Sequence, residues 1–255
     1  MNFIGKNMTK RSIILLVGII SLSFSQQSTF LVEQKKFINV RTAISEKQLT
    51  LEKVLNEKKI SLNDVHILFV AYKENDRIDV YVKNKNFSTY TTFKSYPICA
   101  RSGNLGPKVQ QGDGQVPEGF YQIDRFNPSS NFYLSLGLNY PNLADKRRTT
   151  TPNLGGDIFI HGACVTIGCL PITDNFIKEL YTLAIHAKNN GQSKIPVYIF
   201  PFEMTNDNFT AYKAKNIDNK KLIDFWSNLK IGHDIFLKGK KELSLNVSEN
   251  GRYQY

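Results

Sequence analysis

Cys169 follows His161 by eight positions in the stretch that runs from Ile158 to Leu170. A cysteine attacks a carbonyl only as thiolate, so it needs a base, and later an acid to protonate the leaving amine; one imidazole can serve as both. Ile158, Phe159 and Ile160 form an apolar run that delivers His161 to a strand end. Gly162 leaves its carbonyl free to fix the imidazole tautomer. Gly168 permits a tight turn, so that the amides of the Thr166-Ile167-Gly168-Cys169 segment can face a developing oxyanion. A charged imidazole and a helix N-terminus beside Cys169 would both lower its thiol pKa. The same residues admit plainer readings. A histidine at a strand end is commonly just hydrogen-bonded, and Cys164, Cys169 and His161 would need a fourth ligand at the usual spacing to hold zinc, which the sequence does not supply. Cys164 could instead pair with Cys99, leaving Cys169 free.

The chain around this stretch is one for an exported protein. Lys6, Lys10 and Arg11 precede the apolar run Ile13–Leu22, and Ser23 and Ser25 supply small residues at −3 and −1, which is a secretory signal with cleavage after Ser25. The run is short for a membrane span, which needs about 20 residues; an uncleaved anchor is the alternative. The 255 residues carry a net charge of +11, and removing the three basic residues of the signal leaves +8. Outside the cytosol that charge favours an anionic polymer of the cell envelope over nucleic acid. Three cysteines permit one internal disulfide at most, so an exported chain keeps an unpaired, candidate reactive thiol.

Periodicity places the elements that must position these groups. Residues 26–44 lack a clear period and read as a leader. Ser45-Glu46-Lys47-Gln48 reads as a capping box opening a helix to about Lys59, with Ile44 as a staple. His66–Ala71, the alternating Ile78, Val80 and Val82, Thr89–Ile98, Gly119–Phe126, Phe132–Leu138, Asp157–His161 and Pro196–Pro201 read as strands. Residues 101–119 hold five glycines and two prolines and read as a long functional loop. Residues 139–156 read as a second, polar and basic loop. The strongest helix follows Thr173 or Asp174, with Phe176, Ile177, Leu180, Tyr181, Ala184 and Ile185 on one face, and ends at Gly191. A further helix spans Leu222–Leu229 and stops near Gly232.

The motif His161-Gly162, a spacer, then Thr166-x-Gly168-Cys169 resembles the L,D-transpeptidase catalytic domain (YkuD-like) family in its YafK-type branch. Tyr96-Pro97-Ile98-Cys99, Ser102-Gly103, Leu105-Gly106-Pro107-Lys108, Gly112-Asp113, Pro117-Glu118-Gly119, Tyr140-Pro141-Asn142, Asp174, Glu179-Leu180-Tyr181 and Ile195-Pro196-Val197 extend the resemblance over about residues 66–235. Two departures stand out: a short spacer from His161 to Cys169, and Ile167 where most members carry a second histidine. The resemblance implies a mainly β, α+β fold, a β-sandwich with flanking helices. It implies peptidoglycan stem peptides as substrate, Cys169 as nucleophile, His161 as base with Gly162 behind it, a thioester acyl-enzyme, and neither metal nor cofactor. It leaves transfer or hydrolysis as the second step, with the YafK-type branch favouring hydrolysis at the diamino acid.

Stem peptides carry carboxylates, and Arg101, Lys108, Arg147 and Arg148 flank the two loops, where a guanidinium binds a carboxylate through a planar fork. Ser102 and Tyr140 join them as candidate substrate contacts, although each single charge is equally a solvated loop residue. The expected layout is a signal peptide at 1–25, an N-terminal leader and helix at 26–65, the catalytic domain at 66–235 and a C-terminal extension at 236–255. The expected location is the periplasm or cell envelope, with no stable membrane span once the signal is removed and no nucleic-acid partner. A non-catalytic wall-binding protein on the same fold is the alternative function. A papain-type protease would need the reverse order of Cys and His.

Overall fold

The computed structural model describes Met1 and residues 29–255, so the signal-peptide reading lies outside the described residues. The sheet begins with β1 (Val65–Tyr72), β2 (Arg77–Asn84) and β3 (Thr91–Pro97), a meander in which each strand pairs antiparallel with the next. The long loop then leads into β4 (Gly119–Ser130) and β5 (Tyr133–Leu138), also antiparallel. Two very short strands, β6 (Phe159–His161) and β7 (Leu170–Pro171), pair in parallel at the edge, and β8 (Ile195–Phe200) inserts between β1 and β4. The result is one curled eight-stranded mixed sheet of order β3-β2-β1-β8-β4-β5-β6-β7. The expected sandwich is thus one continuous sheet with helices against it, an α+β fold.

Both faces of that sheet are covered, which is why β1 is a nearly unbroken apolar run, not an alternating one. Ile67, Phe69 and Ala71 face one cluster, which includes Val80, Val197 and Leu134 and the helices α2 (Ile38–Glu57) and α4 (Asp174–Asn189). Leu68, Val70 and Tyr72 face a second, more aromatic cluster with Tyr198, Phe200 and Trp226 of α6 (Lys220–Gly239). The remaining helices are α1 (Thr29–Gln34), α3 (Leu143–Arg148) and α5 (Asn206–Lys215), and a two-stranded ribbon of β9 (Asn246–Val247) and β10 (Tyr253–Gln254) closes the chain.

Four readings of the sequence are corrected here. Residues 26–44 are not all leader: α1 lies within them and α2 starts at Ile38, so Ser45 sits inside a helix and opens nothing. The polar 139–156 segment contains α3, started by a capping box between Asn142 and Asp145. Thr173 is the N-cap residue of α4, but its side chain makes no capping bond. Gly232 does not stop α6, which continues to Gly239; a side chain there would collide with Tyr255 and Phe120, at 2.4 and 2.6 Å.

Candidate active site

The parallel pairing of β6 and β7 builds the site. Ile160 lies beside Leu170 and His161 beside Pro171. Ile160 and Leu170 both point into the core. Side chains alternate along a strand, so His161 is turned away from that core pair, while Cys169 immediately precedes β7, the strand paired with that of His161. His161 is 1% exposed, and its Nδ1 lies 2.5 Å from the carbonyl of Gly162. With Nδ1–H donating to that carbonyl, Nε2 carries the lone pair, as required of a base. The ring of Phe132 stacks on the imidazole with centroids 4.5 Å apart.

The segment between the two residues is pinned at several points. The amide of Ala163, at φ +60°, donates to Asp174 at the start of α4 (2.8 Å). Cys164 is disulfide-bonded to Cys99, with Cα atoms 5.4 Å apart, and Cys169 is the free cysteine. Gly162 admits no side chain, because a Cβ would stand 2.5 Å from Asp174 Oδ1 and 2.6 Å from the Phe132 carbonyl. Gly168 has φ +134° and faces the Gln115 carbonyl, 3.1 Å from where a Cβ would be. Thr166 Oγ1 accepts from the amides of Cys169 (2.8 Å) and Gly168 (3.2 Å) and donates to the Cys169 carbonyl (2.9 Å). These two amides are therefore engaged by Thr166 and not open to an oxyanion as the sequence suggested. Ile167 is 90% exposed on the rim.

Electrostatics also differ from expectation. Burial pushes the Cys169 thiol above the ordinary thiol range, and the Asp157 carboxylate adds to this, against a smaller downward pull from a backbone hydrogen bond at Phe159 and from Lys108. Burial pushes His161 down, partly offset by the Gly162 carbonyl. Both shifts favour neutral thiol beside neutral imidazole in the resting protein. The thiol donates to the Asp157 carbonyl at 3.6 Å.

Cys169 lines two cavities. One, of about 240 Å³, is bounded by the start of the glycine-rich loop from Ala100 to Leu105, with Ile98, Val116 and Lys73. Ser102 lines it, and its buried hydroxyl has no hydrogen-bond partner among the described residues. The other, of about 340 Å³, is lined by Lys108, Gln111, Gly112, Gly155, Gly156, Asp157 and Ile167. Arg101 lies at the first cavity but is paired with Asp76 and Glu74. Lys108 lies at the second, buried and paired with Asp113. Tyr140 is buried, its hydroxyl donating to the carbonyls of Lys108 and Leu154 (both 3.3 Å), so it shapes the second cavity from behind. Arg147 and Arg148 line neither cavity: Arg147 donates to the Val247 and Ser248 carbonyls, while Arg148 pairs with Asp145 and lies over the Phe225 ring.

The residue pattern passed over the group that holds the glycine-rich loop in place. Lys73 Nζ donates to the carbonyls of Asn104, Gly106 and Val116 and to Glu118, all within 3.1 Å. Glu118, 0% exposed, also accepts from the Gly106 amide and the Trp226 indole. A lysine that ends an apolar strand was the available signal. Asp157 and Phe132 were passed over too.

The family model of the YkuD L,D-transpeptidase catalytic domain matches residues 66–199, which include every residue of the motif. This chain belongs to that family. Among curated proteins it is 37% identical to "Putative L,D-transpeptidase YafK" of Escherichia coli (strain K12), over 202 residues that cover 78% of each chain. Similar solved structures include the helical cell shape determining protein Pgp2 of Campylobacter jejuni, at 20% identity and a TM-score of 0.43 over 73% of this chain and 74% of that one. Bd1075 of Bdellovibrio bacteriovorus matches at 21% identity and 0.38, over 63% and 56%. For an L,D-transpeptidase family member, the geometry has one free thiol that lines two cavities and one buried imidazole on the neighbouring strand.

Proposed function

We propose that this protein is an exported peptidoglycan enzyme that acts through a thioester on Cys169. The observation that carries this reading is the position of the free thiol, which lines two cavities and immediately precedes the strand paired with that of His161. The donor stem peptide occupies one cavity, its carbonyl beside the L-centre of the diamino acid set against the sulfur. As sulfur attacks, His161 Nε2 takes the thiol proton. The tetrahedral intermediate collapses by expelling the amine, which receives that proton, and the acyl group stays on sulfur. The leaving amine departs through the other cavity. Water or an acceptor amine then enters there, gives its proton to His161 and releases the acyl group.

Hydrolysis is the favoured second step. Transfer must outcompete water at roughly 55 M through positioning of the acceptor. The second cavity presents four glycines and no aromatic clamp for a bulky acceptor. Among the substrate contacts, Ser102 is favoured, since its hydroxyl is uncommitted; Arg101 and Lys108 act through pairs already formed. Among the described residues no helix is long and apolar enough to cross a membrane, and intact-mass analysis of the exported chain should find Gln26 at its start.

The test is incubation with a purified tetrapeptide muropeptide and mass analysis of products. The tripeptide form with little dimer is expected. Dimers linked between two diamino acids would show transfer instead. Cys169→Ala should abolish turnover, His161→Ala nearly so, and Cys164→Ser should be milder. Muropeptide binding without turnover would favour a wall-binding protein.

A further inference from the structure

The turn between β4 and β5 is strained and sits against the imidazole. Tyr133 has φ +71°, which is rare for a bulky aromatic. The Leu134 amide donates to the Phe132 carbonyl at 2.9 Å, so Tyr133 is the centre of a three-residue turn of the strained hand. Strain of this kind persists only where surrounding contacts hold it, and it concentrates at working sites. Here the holding contacts come from α2, which lies outside the span of the family match. Asn39 Nδ2 donates to the Tyr133 carbonyl at 2.9 Å, and the Tyr133 hydroxyl donates to the Asn39 carbonyl at 3.4 Å. Two further bonds tie α2 to the first turn and a half of α4, Lys178 to Glu46 at 2.7 Å and Lys47 to Asn175. With the turn so fixed, the Phe132 ring lies over His161 at 4.5 Å, tilted by 29°. Phe132 is itself 39% exposed, so its ring stands between the imidazole and water.

We propose that Phe132, held by the strained turn that Asn39 of α2 braces, is a positioning residue that fixes the plane of the His161 imidazole and screens it from solvent. The inference rests on His161 being the base of the proposed reaction, but it concerns a state of that ring that is measurable without turnover. Titratable groups on the elements beside the imidazole strand are otherwise engaged. Asp174 binds the Ala163 amide, Lys178 is paired with Glu46, and the Cys169 thiol donates to the Asp157 carbonyl. The low proton affinity of His161 is caused first by burial, so uncovering the ring should raise it.

The experiment is a titration followed by NMR of histidine Cε1–H resonances in the full chain. Its four histidines give four signals, and His161 is assigned by its loss in His161→Gln. Phe132→Ala should raise the pKa of His161 by about half a unit or more, towards its ordinary value, and leave the other three in place. Phe132→Tyr, which keeps a flat ring, should restore the low value. Asn39→Ala, which leaves Phe132 and the core intact, should give a smaller shift of the same sign. This variant keeps the test open if Phe132→Ala does not fold. An unmoved His161 titration in Asn39→Ala and in any folded Phe132→Ala would overturn the proposal. A shifted titration without peptide turnover would leave it standing and overturn the proposed function instead.

Discussion

At the scale of single residues, the resting site is a neutral pair. A thiol pushed up by burial and an imidazole pushed down by burial do not form a stable ion pair. In the proposed reaction the proton therefore moves as sulfur attacks, and His161 can act as base whenever it is uncharged. A lowered imidazole pKa keeps the uncharged form abundant below its ordinary value of 6.5, so the proposed turnover is expected to persist into mildly acidic solution. Alkylation of Cys169 by iodoacetamide checks this cleanly, because Cys99 and Cys164 are locked in a disulfide. Its rate should be low at pH 7 and climb with a midpoint above the ordinary thiol range. A midpoint near or below pH 7 would mean that a thiolate–imidazolium pair exists after all.

At the scale of elements, the glycine-rich loop is fastened from inside by Lys73 and Glu118. Each is under 10% exposed, and Lys73 lines the first cavity. Removing one partner of a buried pair leaves the other charge uncompensated, at a cost of about 3–5 kcal/mol. Lys73→Met should lose about that much in chemical denaturation, and Lys73→Met with Glu118→Leu should recover part of it. A loss under about 1 kcal/mol in the single variant would show that the loop stands without the pair. The sequence offered His161 and Cys169 as candidates and disclosed the loop itself, because a histidine, a glycine-cysteine pair and five glycines are read from residue type alone. It did not disclose how His161 meets Cys169, since β6 and β7 are three and two residues long, too short for any period. Helix α5 was passed over because none of its residues is buried, so it has no apolar stripe to read. The start of α2 was misplaced for another reason. Phe37 and Ile38 offer no capping side chain, and contacts with α4 and the β4–β5 turn sustain the helix from there. Arg147 and Arg148 read as carboxylate binders because a basic run looks alike whether it meets a ligand or the chain's own C-terminal ribbon.

At the scale of the whole molecule, stability depends on pH through groups far from the site. His186 on α4 is 5% exposed, its Nε2 has no hydrogen-bond partner among the described residues, and burial pushes its pKa down to about 4. The folded state thus favours its neutral form. That contribution is complete above pH 6.5 and is lost as pH falls towards 4, for about 3 kcal/mol in all. Asp145 works in the opposite sense: burial raises its pKa to about 6, so what it contributes in acid is lost as pH rises through 6. The two offset each other in the native chain, and a comparison of variants separates them. Between pH 7 and pH 4.5, urea denaturation should find that the native protein loses about 2 kcal/mol relative to His186→Leu. Parallel stability curves would show that His186 does not titrate with folding.

The central claim is that the acyl group passes through the sulfur of Cys169. The most direct measurement is rapid acid quenching of the enzyme mixed with tetrapeptide muropeptide, followed by proteolysis and mass analysis of the peptide that carries Cys169. A transient adduct with the mass of the tripeptide acyl group is expected on that cysteine, labile to hydroxylamine, and absent when Cys169 is replaced by alanine. Turnover of the muropeptide with Cys169 unmodified at every time point, or turnover that survives in Cys169→Ala, would contradict it.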